Sequence, residues 1–295
     1  MRNPLLAMLK GFHRAVGGHG LGRVPVLRWA YEGVFRVLRP RTVRVQGHVM
    51  HLDERDTLEL ATREVYEPLE TSLLPRYVNP GTLFVDLGAN IGYYTLLAAR
   101  LTGPDGDVRA FEPDPANFRL LQTNIEANGY RHVTADPRAV TDQSGTARLH
   151  LNPTNRGDHR LTDPGDGRPS VAVGTVRLDE ALKDVRPEQA FVKMDIQGSE
   201  WKAYLGMRAF VARVPKVALV AEFWPRGLRA AGTEPRRLPD ALAADGFSLY
   251  RVDEAAGRIS RISPDALAAA LSDESDAYTT LLGLKGLPGD PAWGE

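Results

Sequence analysis

The chain reads as a doubly wound α/β protein, and three features of its sequence carry that reading. From about Asp56 onward, short apolar runs alternate with segments of helical periodicity. The first of these runs enters a helix through a glycine loop, Val85-Asp-Leu-Gly-Ala-Asn-Ile-Gly-Tyr-Tyr94, and the second ends on an acidic residue, Glu112. An alternating pattern of this kind makes a parallel sheet covered on both faces, with ligands at the carboxyl ends of its strands.

The elements follow in order. Residues 26–38 place Leu27, Tyr31, Val34, Phe35 and Leu38 on one helical stripe, with Arg28, Arg36 and Arg39 off it and Pro40 ending it. A basic amphipathic helix can lie on an anionic membrane; the commoner alternative is a helix packed on the domain with its arginines in water. Residues 43–52 alternate as strands around Gln46-Gly47, a hairpin. His48 and His51, three apart on a strand, face opposite sides and are expected at the surface rather than on a metal. Strands are expected at 83–85, 108–111, 132–135, 191–194, 217–223, 247–251 and 278–284. Helices are expected at 91–101 and 115–128, the second with Phe118, Leu121 and Ile125 inward and Gly129 closing it. This divides the chain into a basic extension, 1–55, and a catalytic domain, 56–290.

Composition narrows the function. The 295 residues are 43% apolar and 25% charged, which excludes a disordered chain. Lys+Arg and Asp+Glu are both 37, so wholesale nucleic-acid binding is not indicated. The balance hides an asymmetry, because residues 1–50 hold nine Lys/Arg against Glu32 alone. With no cysteine, disulfides, thiolate zinc sites, iron–sulfur clusters and a cysteine nucleophile are excluded. The longest uncharged apolar-rich run, 87–99, is too short to span a bilayer, and residues 4–9 are shorter than a signal-peptide core. A cytoplasmic protein is expected, with peripheral membrane contact open through residues 1–40.

The chemistry sits in four segments. In the first, a dinucleotide fingerprint would need a second glycine where Asn90 stands, and a Walker loop would need a lysine that is absent. The pattern left, Asp86-x-Gly88-x-Asn90-x-Gly92, is the loop used for S-adenosylmethionine, with the glycines letting a ligand approach main-chain amides at a helix N-terminus. In the second, Glu112 stands where an acid can accept hydrogen bonds from both ribose hydroxyls. In the third, Asp195 and Glu200 flank Gly198, and Glu222 ends the next strand; the three share a rim and can orient a polyol or hold a cation, while Glu200 can equally fix the turn. In the fourth, a polar loop ends in Asp158-His159-Arg160, where His159 is either a general base or a surface histidine.

These residues resemble the FkbM family of S-adenosylmethionine-dependent methyltransferases, over about Asp56 to Leu284. The resemblance rests on Val65-Tyr-Glu-Pro68, residues 85–94, 111–117, Thr175-Val-Arg-Leu-Asp179 and 193–200, with a partial match at 155–160. It implies a Rossmann-like, seven-stranded class I methyltransferase sheet; the helical and hairpin N-terminal extension lies outside the match. S-adenosylmethionine would be the methyl donor, held by Asp86, Gly88, Asn90, Gly92 and Tyr93 around its methionine part, by Glu112 at the ribose, and near 136–141 at the adenine. The acceptor would be a hydroxyl of a sugar, glycolipid or polyketide. Such chemistry needs the hydroxyl proton removed, and His159 is expected to be that base or to orient the hydroxyl, with Asp195 and Glu200 binding substrate. Many relatives carry Glu where this chain has Gln197, which argues against a metal site. The alternatives are N-methylation of an amine or amino sugar, or a non-catalytic cofactor-binding protein. A small-molecule or glycan acceptor, and no nucleic acid, is the expected partner.

Overall fold

The computed structural model describes residues 40–270 and 277–293, in two compact units that divide between Tyr66 and Glu67. The helix expected over 26–38, and with it the membrane question, lies outside the described residues.

In the first unit, β1 (Thr42–Val45) and β2 (His48–His51) form the expected antiparallel hairpin. Its two-residue turn needs positive φ at both positions, and Gln46 and Gly47 supply 49° and 87°. His48 and His51 do fall on opposite faces, but His48 points inward beside Met50 and is 4% exposed. It is a core residue, not the surface histidine expected. Buried Asp53 and Asp56 then pin the chain that follows, each accepting two main-chain N–H bonds.

The second unit holds the sheet. Its chain runs α1 (Pro68–Tyr77), β3 (Leu83–Leu87), α2 (Tyr93–Thr102), β4 (Asp107–Phe111), α3 (Pro115–Ala127) and β5 (Val133–Asp136). A side layer follows, β6 (Ala139–Val140), β7 (Gly145–His150), β8 (Ser170–Val176) and α4 (Leu178–Ala181). The chain then returns through β9 (Gln189–Met194), α5 (Glu200–Arg213), β10 (Lys216–Phe223), α6 (Pro225–Ala230), α7 (Arg237–Ala244), β11 (Ser248–Asp253), β12 (Arg258–Arg261), α8 (Pro264–Ala270) and β13 (Thr279–Lys285).

The spatial order is β12-β11-β13-β10-β9-β3-β4-β5, with β13 antiparallel to β10 and β11. Seven of these strands make the expected class I sheet; β12 adds an eighth on the edge of β11. From β3 the chain goes first to β4 and β5 on one side, later to β9 and β10 on the other, so the ligand crevice opens between β3 and β9. Register then fixes the rim. Leu87 pairs with Phe111 and with Met194, and Met194 pairs with Ala221. Gly88, Glu112 and Asp195 are the next residues on three of these parallel strands and leave the sheet in one row, level with Glu222, which still pairs with Thr280 of β13.

Strands β3, β9 and β10 are buried on both faces, which is why they read as unbroken apolar runs. Phe84 stacks on Phe191 at 5.3 Å between ring centroids beneath this rim. Helix α3 departs from expectation: Leu121 and Ile125 are buried, but Phe118 is only partly so, and Asn117 and Asn124 face inward instead. Asn124 is buried for a reason, since its amide donates to the Ile91 carbonyl at 2.7 Å and ties α3 to the glycine loop. No helix among the described residues is long and apolar enough to cross a membrane.

Candidate active site

The glycine loop spends its amides on the protein. Gly88 and Ala89 both donate to the Phe111 carbonyl at 3.0 Å, and Gly92 donates to Ala89 at 2.8 Å. A Cβ on Gly88 would stand 2.1 Å from the Asp195 carbonyl, and one on Gly92 would stand 2.8 Å from Leu121 Cδ1. Both glycines take positive φ, of 81° and 95°, and leave no room for a side chain, Gly88 against backbone and Gly92 against Leu121. Asp86 is also structural in its contacts: buried, it accepts from Thr95 Oγ1 at 2.6 Å, and burial pushes its carboxyl up to about 6. Tyr93 is 3% exposed with its hydroxyl against Thr71, so its ring packs α1 on α2 instead of lining the crevice.

What the loop leaves for a ligand is side-chain acceptor atoms. Asn90 is left-handed at φ 50°, and its Oδ1 is buried without a hydrogen bond, as is Asn117 Oδ1. Beside Asn90 lies Glu112, 5% exposed, whose two oxygens accept from Asn90 N–H at 2.7 Å and Asp114 N–H at 2.8 Å. Burial pushes Glu112 up to about 8 despite those bonds. Buried acceptors without donors are costly, and a nucleoside with ribose hydroxyls and amino hydrogens is a fitting donor set. Beyond β5, Asp136 is closed by a fork of bonds from Arg138, and Ala139 to Thr141 are buried.

Across the crevice the rim is a charge cluster. Lys193, paired in register with Asp86, is buried with its Nζ 3.4 Å from Glu70 Oε2, 3.7 Å from Asp195 Oδ2 and 4.5 Å over the Tyr94 ring. Burial opposes its charge, but Glu70, Asp195 and Glu67 outweigh that and hold the ammonium well above its usual range. Gln197, left-handed at φ 53°, donates one amide nitrogen to both Asp195 Oδ1 (2.9 Å) and Glu222 Oε2 (3.0 Å). Asp195 and Glu222 thus share the rim as expected. Burial, then Asp195 and Glu200, push Glu222 well above the usual carboxylate range.

Glu200 acts on Glu222 through its charge but makes no hydrogen bond to Glu222 or Asp195. It is fully buried, and its Oε1 accepts from the Ile196 and Gly198 N–H groups at 3.2 Å, holding the turn between β9 and α5. Of its two expected roles, the contacts are those of the turn. His159 lies elsewhere. Its Nδ1 accepts from the Asn152 N–H at 3.0 Å, and its Nε2 stands 3.9 Å from Asp114, the N-cap of α3. Burial lowers its pKa, and the charges that act on it are Asp114, Arg156, Asp158 and Arg168, none of them from the Lys193 cluster. The loop carrying His159 crosses the rim, from Asn117, whose amide donates to Arg156, to Trp224, under the Arg160 guanidinium at 4.5 Å.

Sequence reasoning gave Lys193, Tyr94, Glu70 and Glu67 no role. The available signals were a lysine inside an apolar strand, 189–194, and two acids beside Pro68.

A family model described as the methyltransferase FkbM domain matches residues 86–247, more than half of the chain. The 31-O-demethyl-FK506 methyltransferase FkbM of Streptomyces tacrolimicus is 40% identical over 79 residues, 26% of this chain and 28% of that protein. Ribosomal RNA large subunit methyltransferase E of Neisseria meningitidis is 34% identical over 68 residues, 23% of this chain and 32% of its own. Among solved structures, the methyltransferase FkbM of Methylobacillus flagellatus aligns with a TM-score of 0.43 at 19% identity, over 69% of this chain and 43% of that one. The chain spans about a third or less of the length of these curated relatives. The length of the domain match decides the family: the chain belongs to the FkbM methyltransferases.

Proposed function

We propose that the protein is an S-adenosylmethionine-dependent O-methyltransferase acting on a hydroxyl of a neutral, polyhydroxylated small molecule or glycan. The observation that carries this is the row at the sheet rim, with ribose acceptors over β4 and a carboxylate cluster over β9 and β10. Bound S-adenosylmethionine would supply an electrophilic sulfonium methyl. Glu112 and Asn90 would hold its nucleoside on the β4 side, leaving the methyl to face the β9–β10 side. There Asp195, Glu222 and Glu67 can accept acceptor hydroxyls, and Tyr278, exposed just before β13, offers an aromatic face beside them. Holding the acceptor oxygen about 3–3.5 Å behind the methyl supplies much of the acceleration.

The named activity of the Streptomyces relative, on a demethylated hydroxyl position of FK506, is consistent with this acceptor class. The ribosomal RNA relatives suggest a nucleic acid. A rim of four carboxylates around one lysine repels phosphate, however, and nucleic-acid sites need a basic track. N-methylation is the second reading, because the same carboxylates suit an ammonium.

Two measurements test this. Calorimetric titration of S-adenosylhomocysteine should show binding; none by folded protein overturns the cofactor. Transfer of labelled methyl should then reach glycosides and macrolide alcohols; transfer to amino sugars alone, or to RNA alone, would replace the acceptor class.

A further inference from the structure

Glu67 has the wrong contacts for its position. It precedes α1 and its Pro68, where an acid normally caps the first turn, yet its side chain makes no capping bond. That task falls to Glu254, whose Oε1 accepts from Leu69 N–H at 2.7 Å and Glu70 N–H at 3.0 Å. Glu67 instead accepts the Tyr94 hydroxyl on Oε2 at 2.8 Å, and Tyr94 lies under the Lys193 ammonium. Its other oxygen makes no hydrogen bond among the described residues.

The backbone at Glu67 is strained to achieve this. Its φ is 42° and ψ 75°, left-handed for a non-glycine residue and doubly unfavourable before proline, which drives its neighbour to extended backbone. Such conformations are costly and concentrate at functional sites. Among the described residues of the second unit, the non-glycine residues with positive φ are Glu67, Asn90 and Gln197. The other two hold the nucleoside loop and the Asp195–Glu222 bridge.

We propose that Glu67 is the general base of the transfer, taking the proton of the acceptor hydroxyl on its open carboxylate oxygen. This rests on the methyltransferase reading above and deepens it. The acceptor oxygen forms its bond to the methyl carbon, and the carbon–sulfur bond breaks with its electron pair on sulfur. The hydroxyl proton passes to Glu67, so the positive sulfonium and negative carboxylate both end neutral. Tyr94 and Lys193 position and polarise the carboxylate. Burial, then Glu70, raise its affinity for a proton to a pKa of about 8, which suits a base working near neutrality.

Sinefungin, which carries an ammonium where the methyl stands, reports on this without an acceptor. Wild type should bind sinefungin at least tenfold more tightly than S-adenosylhomocysteine. In Glu67→Gln that ratio should fall at least tenfold, while S-adenosylhomocysteine affinity changes less than twofold. An unchanged ratio overturns the proposal. Should the variant fail to fold, wild type decides: near pH 7, sinefungin should displace a proton that S-adenosylhomocysteine does not, seen in buffers of different ionisation enthalpy. Equal proton release by the two ligands also overturns it. If folded wild type binds neither, the cofactor reading itself fails, and the base with it.

Discussion

At Gly88 the chain turns out of β3 with φ of 81°, and a methyl group there would stand 2.1 Å from the Asp195 carbonyl. That carbonyl begins the loop carrying Gln197, so Gly88 sets how closely the two halves of the rim approach. Gly88→Ala combines a left-handed penalty with a backbone clash and should cost about 3 kcal/mol. In a domain of this size the melting temperature would drop by roughly 6–12 °C. A drop under about 2 °C would mean that the loops are less tightly opposed than described. Glu112 acts at the same scale through charge. Glu112→Gln keeps an acceptor for one of the two main-chain N–H groups but removes the carboxylate offered to ribose. Hydrogen bonds to charged groups contribute about 1.5–3 kcal/mol, so S-adenosylhomocysteine should bind roughly 10–100-fold more weakly by calorimetry. Unchanged affinity would place the ribose elsewhere.

Between residues and fold stands the loop 151–169, which the sequence marks only as polar. Its order comes from Asp158, whose carboxylate accepts from Asn152 Nδ2 at 2.7 Å, Arg160 Nε at 2.5 Å and Arg168 Nη1 at 3.3 Å. Arg168 also donates to the Asp158 carbonyl at 2.9 Å. Asp158→Ala should release all three donors, and amide hydrogen exchange across 152–168 should accelerate at least tenfold while β3 and β9 stay protected. Unchanged protection would mean that the His150–Arg160 main-chain pairing alone orders the loop. The same element shows why parts of the chain were legible and others not. Strands β3, β9 and β10 announce themselves because both faces are buried, and the Gln46-Gly47 hairpin because its turn demands positive φ. The side sheet β6-β8-β7 is missed because β7 is mostly exposed and β6 has two residues, with partners distant in sequence. At the site, Glu112 and Asp195 were readable from the strands they end. Glu67 was not, because its role depends on Glu254 capping α1 from 185 residues away, which no local pattern encodes. The choice left open at His159 turns on contacts that the sequence does not encode, to the Asn152 amide and to Asp114 at the α3 cap.

Over the whole molecule the rim concentrates buried acids, and this couples stability to pH. Burial raises Asp86 to about 6, Glu200 to about 7, and Glu67 and Glu112 to about 8, each above its value in an unfolded chain. Between about pH 4.5 and 8, therefore, the folded state holds protons that the unfolded chain has released. The sign follows: with more protons bound in the native state, stability declines as pH rises through that window and levels off above it. Formal net charge is zero at pH 7 and the isoelectric point is near 7.1, so overall self-repulsion is small near neutrality, inside that window. The ligand-free protein should melt at a higher temperature at about pH 5.5 than at about pH 8.5, and Glu112→Gln should shrink that difference. Hydroxyl donors on Glu112 favour its ionised form, so saturating S-adenosylhomocysteine should raise the melting temperature more at the higher pH than at the lower. A ligand-free melting temperature that instead climbs from about pH 5.5 to 8.5 would mean that these carboxylates are charged in the native state. The rim would then need cationic partners beyond Lys193 to hold them.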